Sequence, residues 1–345
     1  MNLNLKGESV NSCLRECKCG VPQGSCLGPL LFLFFINDLP QATDFFSILF
    51  ADDTTFQLSG YNTPDIFARA NIELGKAEQW FFANKLTLNA KKTRFMVFKS
   101  RNQHVHVRDL FLQNNLIQQA GRNCTDTSVR FLGVWIDEEM SFSGHIAKLK
   151  GKLNSGLYAL ATCNRIVPLK VRKLIYRSLF ESHLHFGSVL YGATQPKNLE
   201  QIEVVQRKAL RLVSRSKYNA HTDPLFKQHD MLKLSDLIKL NQTIFVRQHK
   251  NGRLPTSFHN FFQDIPPDEQ KSRDDDYNLK PKEVADRSLL YFPGNQIIRA
   301  WNSNNLLIKS EADCAILKES FKQNKLELYE EDCLKQNCYV CNRDY

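Results

Sequence analysis

No stretch of this 345-residue chain is apolar for long enough to span a bilayer, and no secretory leader opens it. The longest apolar run, Leu27–Ile36, is too short to cross a membrane. The sequence therefore argues against a secreted or membrane-integral protein and for one resident in the nucleus or cytoplasm. Ten cysteines without a leader do not imply disulfides. Acidic side chains are scarce in one region only. Residues 141–255 hold 6 Asp+Glu against 20 Lys+Arg, whereas residues 1–140 hold 14 of each and residues 256–345 hold 16 acids against 12 bases. With so few acids to interleave, the middle segment reads as a phosphate-binding surface more readily than as a salt-bridged solvated face. The 42% of hydrophobic residues is enough for real cores, and the length suggests two or more modules.

What the chain does have is concentrated in Phe45–Thr54, an apolar strand-like run that ends in two adjacent carboxylates, Asp52 and Asp53. Thr54–Leu58 reads as the returning strand. Aspartate is depleted in strands and tolerated in tight turns, so the pair belongs at or beside a hairpin turn. Two ionised neighbours repel, and a divalent cation removes that penalty. A solvated turn is the plainer alternative.

Upstream, Gly20-Val21-Pro22-Gln23-Gly24-Ser25-Cys26-Leu27-Gly28-Pro29 is a loop of glycines and prolines that launches an apolar helix over Leu27–Ile36, expected to be buried. Ser25 is placed to cap that helix, and Pro29 suits its first turn. Glycines let a backbone lie close to another molecule, here a nucleotide or a template base.

These residues, followed by Ile36-Asn37-Asp38-Leu39-Pro40 and Phe50-Ala51-Asp52-Asp53, resemble the reverse transcriptases of non-LTR, LINE-type retrotransposons, most closely the jockey-like group. The resemblance continues through Leu88-Asn89-Ala90-Lys91-Lys92-Thr93-Arg94-Phe95, an Asn-x-x-Lys-Thr element, and through Val129–Asp137, which holds the Phe131-Leu132-Gly133 strand that grips a primer end. It covers about Gly20–Pro255 and reaches the basic helices around Ala220–Phe226. It implies RNA-directed DNA synthesis by two-metal nucleotidyl transfer, with RNA template, DNA primer, dNTP and Mg2+ as partners. Asp52 would be the essential metal ligand and Asp53 the supporting one. Gln23, Gly24, Ser25 and Phe50 would line the nucleotide and template site. Lys92 would stand near the triphosphate as a general acid, and Gly133 would let the backbone approach the primer.

In that family a third Asp comes from a strand well before the glycine loop. This chain begins 19 residues before Gly20, where the only acids are Glu8 and Glu16, neither of which follows an apolar strand. The expectation is a 5′-truncated enzyme without its fingers and first catalytic Asp, with little or no polymerase activity of its own. A non-catalytic nucleic-acid-binding remnant and an incomplete gene product are the other two readings.

The expected fold is α+β: a partial polymerase palm over residues 1–140, then an all-helical, basic, thumb-like bundle over 141–255, then an acidic linker and C-terminal extension over 256–345. In the palm, Pro64–Ala83 has helical spacing, while Leu86–Leu88, Arg94–Lys99 and Val129–Ile136 read as strands of one small antiparallel sheet with helices on one face and an unpaired, aggregation-prone edge. In the bundle, apolar stripes run through Ile146, Leu149, Leu153, Leu157 and Ala161, through Val171, Leu174, Ile175 and Leu179, and through Leu199, Ile202, Val205, Ala209 and Leu212. Tyr158, Tyr176, Tyr191 and Tyr218 suit core packing or stacking on bases. His104 and His106 alternate on an expected strand as surface residues. Further on, Pro266–Asn278 reads as a flexible linker, Arg287–Trp301 as a strand and helix, and Ile316–Glu331 as a helix. Cys333, Cys338 and Cys341, with Cys314 as the one nearby fourth thiol, fall short of a convincing zinc set, as do Cys13, Cys17 and Cys19.

Overall fold

The computed structural model describes residues 2–5, 8–11, 20–21, 24–98, 105–121, 123–258, 263–264 and 279–280. The chain divides into two compact units, residues 1–95 with 104–119 and residues 96–103 with 120–345.

The first unit opens with an antiparallel pair, β1 (Asn2–Leu5) and β2 (Glu8–Asn11). Helix α1 (Gly28–Ile36) follows the glycine loop. A hairpin of β3 (Phe46–Phe50) and β4 (Asp53–Gln57) comes next, then the long helix α2 (Thr63–Ala83), strand β5 (Arg94–Met96) and a small pair, β6 (Phe111–Leu112) with β7 (Asn115–Leu116). Helix α2 starts as its sequence suggests. Pro64 sits in the first turn, and Asp65, favourable at the positive end of the helix dipole, accepts a 2.7 Å hydrogen bond from the Asn62 amide. Its inward stripe is Phe67, Ala70, Glu73, Leu74, Ala77 and Phe81. Ala77 and Phe81 join Ile36 and Leu39 in a core, with Phe32, Leu49, Phe56, Trp80, Leu86 and Leu88 packed against it.

Four expectations change here. Helix α1 is not buried: only Gly28 and Ile36 are, while Leu30, Leu31, Leu33, Phe34 and Phe35 are exposed, Phe34 at 73%. A helix apolar on every side needs cover on every side, and among the described residues the core touches one side alone. Leu86–Leu88 is not a strand; it packs on that core without pairing. The strands also do not merge into one sheet, because every sheet among the described residues has two strands only. His106 is exposed on an irregular stretch and not on a strand, and His104 lies outside the described residues.

Strand β8 (Gln118–Ala120) ends at the boundary between the units; the second unit then carries a hairpin of β9 (Val129–Phe131) and β10 (Val134–Ile136), and a run of helices. These are α3 (Ser143–Cys163), α4 (Leu169–Tyr176), a π-turn over Arg177–Glu181, the short α5 (Ser182–His185) and α6 (Ser188–Tyr191), α7 (Pro196–Ser214), α8 (Asp223–His229) and α9 (Leu234–Lys250). A last small pair joins β11 (Gln263–Asp264) to β12 (Leu279–Lys280). The linker, the later elements and the cysteines beyond Cys163, together with Cys13, Cys17 and Cys19, lie outside the described residues.

One core runs through the helices, built from Ile146, Leu149, Leu153 and Leu160 of α3, Ile202, Val205, Ala209, Leu210 and Val213 of α7, and Leu234, Leu237 and Ile238 of α9. Gly156 lets α3 approach the π-turn, since a side chain there would meet Phe180 at 3.1 Å and Leu179 at 3.2 Å. Buried Gln206 is fully bonded: its amide donates to the Tyr176 hydroxyl (3.0 Å) and the Leu232 carbonyl (2.9 Å), and its oxygen accepts from the Leu234 N–H (3.0 Å).

The middle stripe of the bundle is displaced in part: Ile175 and Leu179 pack half-buried against the core as expected, but Val171 is exposed. Arg172, Tyr176, Phe180 and Leu184 face inward at i, i+4 spacing, whereas Leu174 is 62% exposed. Arg172 is buried, and among the described residues its hydrogen-bond partners are backbone carbonyls. Its Nε donates to the Val213 carbonyl (2.8 Å) and its Nη1 to the Val167 carbonyl (2.7 Å). Arg215 donates to the carbonyls of Asn164, Arg165 and Val167 as well, so two guanidinium groups satisfy carbonyls of the loop that follows α3. On α3, Leu160 is buried in place of Ala161. Tyr176 and Tyr191 are core residues, while Tyr158 and Tyr218 are exposed.

Candidate functional site

In the β3–β4 hairpin Phe50 pairs with Asp53, leaving Ala51-Asp52 as a two-residue turn. Ala51 adopts φ +50°, a left-handed conformation that disfavours a side chain by about 1–2 kcal/mol. Both carboxylates are exposed, and among the described residues neither side chain hydrogen-bonds or pairs with another residue. The hairpin is fastened from behind. Leu49 and Phe56 pack on the core of the unit, and Phe45 stacks on Phe56 at 4.9 Å.

A residue the sequence analysis passed over fixes the hairpin's first strand. Glu73, 5% exposed on the inward face of α2, accepts the Asp44 N–H at 2.8 Å and the Lys76 ammonium at 2.7 Å. The Lys76 hydrogen bond leads in holding its carboxyl below the usual glutamate range, burial opposing it and the Asp44 N–H helping. Its signal was a lone carboxylate three residues after Ala70 and four before Ala77, inside an otherwise apolar stripe.

The N-cap of α1 is Leu27 and not Ser25, but the Ser25 hydroxyl, two residues earlier, accepts the Gly28 N–H at 3.1 Å. Gly24 stands at φ +82° and is exposed; Gln23 lies outside the described residues. Phe50, at the end of β3, is exposed. The Asn-x-x-Lys-Thr element is a side-chain-closed turn. The Asn89 oxygen accepts the Lys92 N–H (3.1 Å), and the Thr93 hydroxyl donates to the Asn89 carbonyl (3.0 Å). That geometry accounts for the Asn and the Thr. The Lys92 side chain is left exposed. The helix after the glycine loop, the aspartate hairpin and the segment leading into Asn89 thus share one core.

Phe131-Leu132-Gly133 lies in the second unit, and the expected single strand over Val129–Ile136 is a hairpin. Leu132 (φ +44°) and Gly133 (φ +89°) form its two-residue turn, which demands positive φ at both positions. Trp135 of β10 donates its N–H to His145 Nδ1 at 3.4 Å, and the Lys148 ammonium lies 2.7 Å from the centre of its ring. Burial pushes both His145 and Lys148 below their ordinary pKa, aided by Lys152 for the histidine and Arg130 for the lysine, while Asp126 opposes the effect on Lys148.

The first unit thus holds exposed paired carboxylates on a hairpin, a glycine loop leading into a helix and a lysine turn, and the second unit holds a run of basic helices. Residues 4–136 match the family model described as "Reverse transcriptase (RNA-dependent DNA polymerase)". The chain is 24% identical over 244 residues to the RNA-directed DNA polymerase from mobile element jockey of Drosophila melanogaster, covering 67% of this chain and 26% of that protein. It is 21% identical over 243 residues to the probable RNA-directed DNA polymerase from transposon X-element of the same species, with the same two coverages. Over 196 residues it is 26% identical to a putative 115 kDa protein in the type-1 retrotransposable element R1DM, covering 55% of this chain and 18% of that protein. No solved structure matches it. Over the matched residues the chain thus resembles the reverse transcriptases of jockey-like, non-LTR retrotransposons. It spans about a quarter of the length of the first of these relatives.

The family implies a divalent metal. Asp52 and Asp53 are oxygen donors of the right kind and could share one cation with substrate oxygens and water. Among the described residues no group of three or more His, Cys, Asp or Glu gathers to hold a metal. The pair by itself therefore falls short of a two-metal clamp.

Proposed function

We propose that this chain is the nucleic-acid-handling segment of a retrotransposon reverse transcriptase, an enzyme that copies an RNA template into DNA from a DNA primer and dNTPs. The observation that carries the reading is the common core beneath the Asp52–Asp53 hairpin, the glycine-loop helix and the Leu86–Leu88 segment that leads into the Asn89–Thr93 turn. In this reading Asp52 is the essential carboxylate of the Mg2+ site and Asp53 the supporting one. Gln23, Gly24, Ser25 and Phe50 line the nucleotide and template side. Lys92 stands beside the triphosphate, and Phe131-Leu132-Gly133 meets the primer. Residues 1–140 act as palm, 141–255 as thumb, and the protein works inside the cell, in nucleus or cytoplasm.

The 345 residues hold no third carboxylate in an Ala-Phe-Asp setting before the glycine loop. Groups that act as a unit lose most of their effect when one is missing. The chain alone is therefore expected to give no Asp52-dependent incorporation in a primer-extension assay with Mg2+ and a recessed RNA–DNA duplex. Incorporation abolished by Asp52→Ala would overturn the proposed inactivity. A non-catalytic nucleic-acid-binding role is the second reading, favoured by the 20 bases against 6 acids of residues 141–255. Salt-sensitive duplex binding, equal in the unsubstituted chain and in Asp52→Ala and without incorporation, is its signature.

A further inference from the structure

We propose that Phe186 is the positioning residue of the Leu132–Gly133 turn, setting how far that turn projects toward the 3′ end of a primer strand. The proposal rests on the reverse-transcriptase reading of the hairpin and adds a residue outside every motif of the resemblance. Its basis is a reciprocal fit. A side chain on Gly133 would meet Phe186 Cε1 at 2.9 Å and Cζ at 3.0 Å, so the phenyl ring fills the space the glycine leaves open. One residue further along each partner the roles reverse: a side chain on Gly187 (φ +70°) would meet Val134 Cγ2 at 3.0 Å. Two glycines and two apolar side chains thus interlock the β9–β10 turn with the corner between α5 and α6. The next hairpin residue, Trp135, is held by His145 and Lys148 of α3.

Core packing does not account for Phe186, which is 43% exposed. Nor is the hairpin enclosed by the contact, since Arg130 and Leu132 remain exposed. The turn is therefore backed on one side and open on another, as a surface that must hold its shape against a ligand requires. Both of its non-extended residues depend on that backing, because positive φ at Leu132 is a strained state that persists only where its surroundings enforce it.

The test uses the full chain with Phe186→Ala and Phe186→Leu, and two readouts. Hydrogen exchange of the peptide spanning residues 129–136 is expected to rise about tenfold in Phe186→Ala while that of α7 stays unchanged. The preference for a recessed primer–template over a blunt duplex of the same sequence is expected to fall about tenfold in Phe186→Ala and to be largely kept in Phe186→Leu. Unchanged hairpin exchange, or equal losses on both duplexes, would overturn the proposal. If the unsubstituted chain has no preference for the recessed end, the functional reading of the turn fails and this proposal with it. A response in exchange alone then identifies the functional reading as the link that broke.

Discussion

At the scale of single residues, the side chain with most leverage on the aspartate hairpin is Glu73, through the Asp44 N–H at the start of β3. Its folded pKa lies below the usual glutamate value, so the unfolded chain binds a proton more readily in the acid range. The stability it contributes is full above about pH 4.3, the ordinary value, and is lost as pH falls through the lowered folded value. Lys76, raised mainly by the same hydrogen bond, acts on the other limb and loses its contribution as pH rises past the ordinary lysine range. Glu73→Gln is expected to cost about 1.5 kcal/mol at neutral pH, the worth of a charge-assisted hydrogen bond, and to flatten the acid limb of stability. Urea unfolding at pH 7 and at pH 3.5 measures both effects. The catalytic candidates Asp52, Asp53 and Lys92 were legible as residues, whereas Glu73 was not. Its carboxylate sits in a stripe that periodicity assigns to the core, and only the position of the Asp44 backbone makes it a partner.

Helices and strands were legible in proportion to how local their causes are. Helix α2 runs over Thr63–Ala83 where Pro64–Ala83 was expected, because Pro64, Asp65 and the i, i+3, i+4 spacing act within the helix itself. The turn at Leu132–Gly133 was missed, though a glycine after a leucine in an apolar stretch was its signal. The stripe on α4 was placed only in part, because the carbonyls that satisfy buried Arg172 come from Val167 and Val213, outside that helix. Helix α1 was expected to be buried and presents most of its large side chains outward instead. Such a patch invites association. Leu30→Glu with Phe34→Lys, an i, i+4 pair in the favourable order, should shift stability by no more than about 0.5 kcal/mol, since neither side chain is buried. It should also raise the soluble fraction on expression. A thermal melt and a centrifugation assay decide; a large loss of melting temperature would mean that α1 is covered after all.

For the molecule as a whole, charge is the property that reaches furthest. Residues 141–255 carry the basic excess, and the described helices leave Lys152, Arg165, Lys170, Lys208, Arg215 and Lys217 exposed. Binding to a duplex through 6–10 phosphates would lose about 10³–10⁵ in affinity between 50 and 200 mM salt, with little dependence on base sequence. A salt titration by fluorescence anisotropy checks this, and affinity unmoved by salt would rule out a phosphate-binding role for the helical unit. The resemblance to reverse transcriptases was legible from the sequence alone, since the ordered motifs that carry it are written in residue identity and spacing along the chain. Tertiary structure alone decided that the aspartate hairpin, the glycine-loop helix and the segment leading into the lysine turn rest on one core. It also decided that the Phe-Leu-Gly turn is braced by Phe186 and that α1 stands uncovered. Contacts between segments far apart in sequence depend on which backbone atoms meet in space, and periodicity carries no record of that.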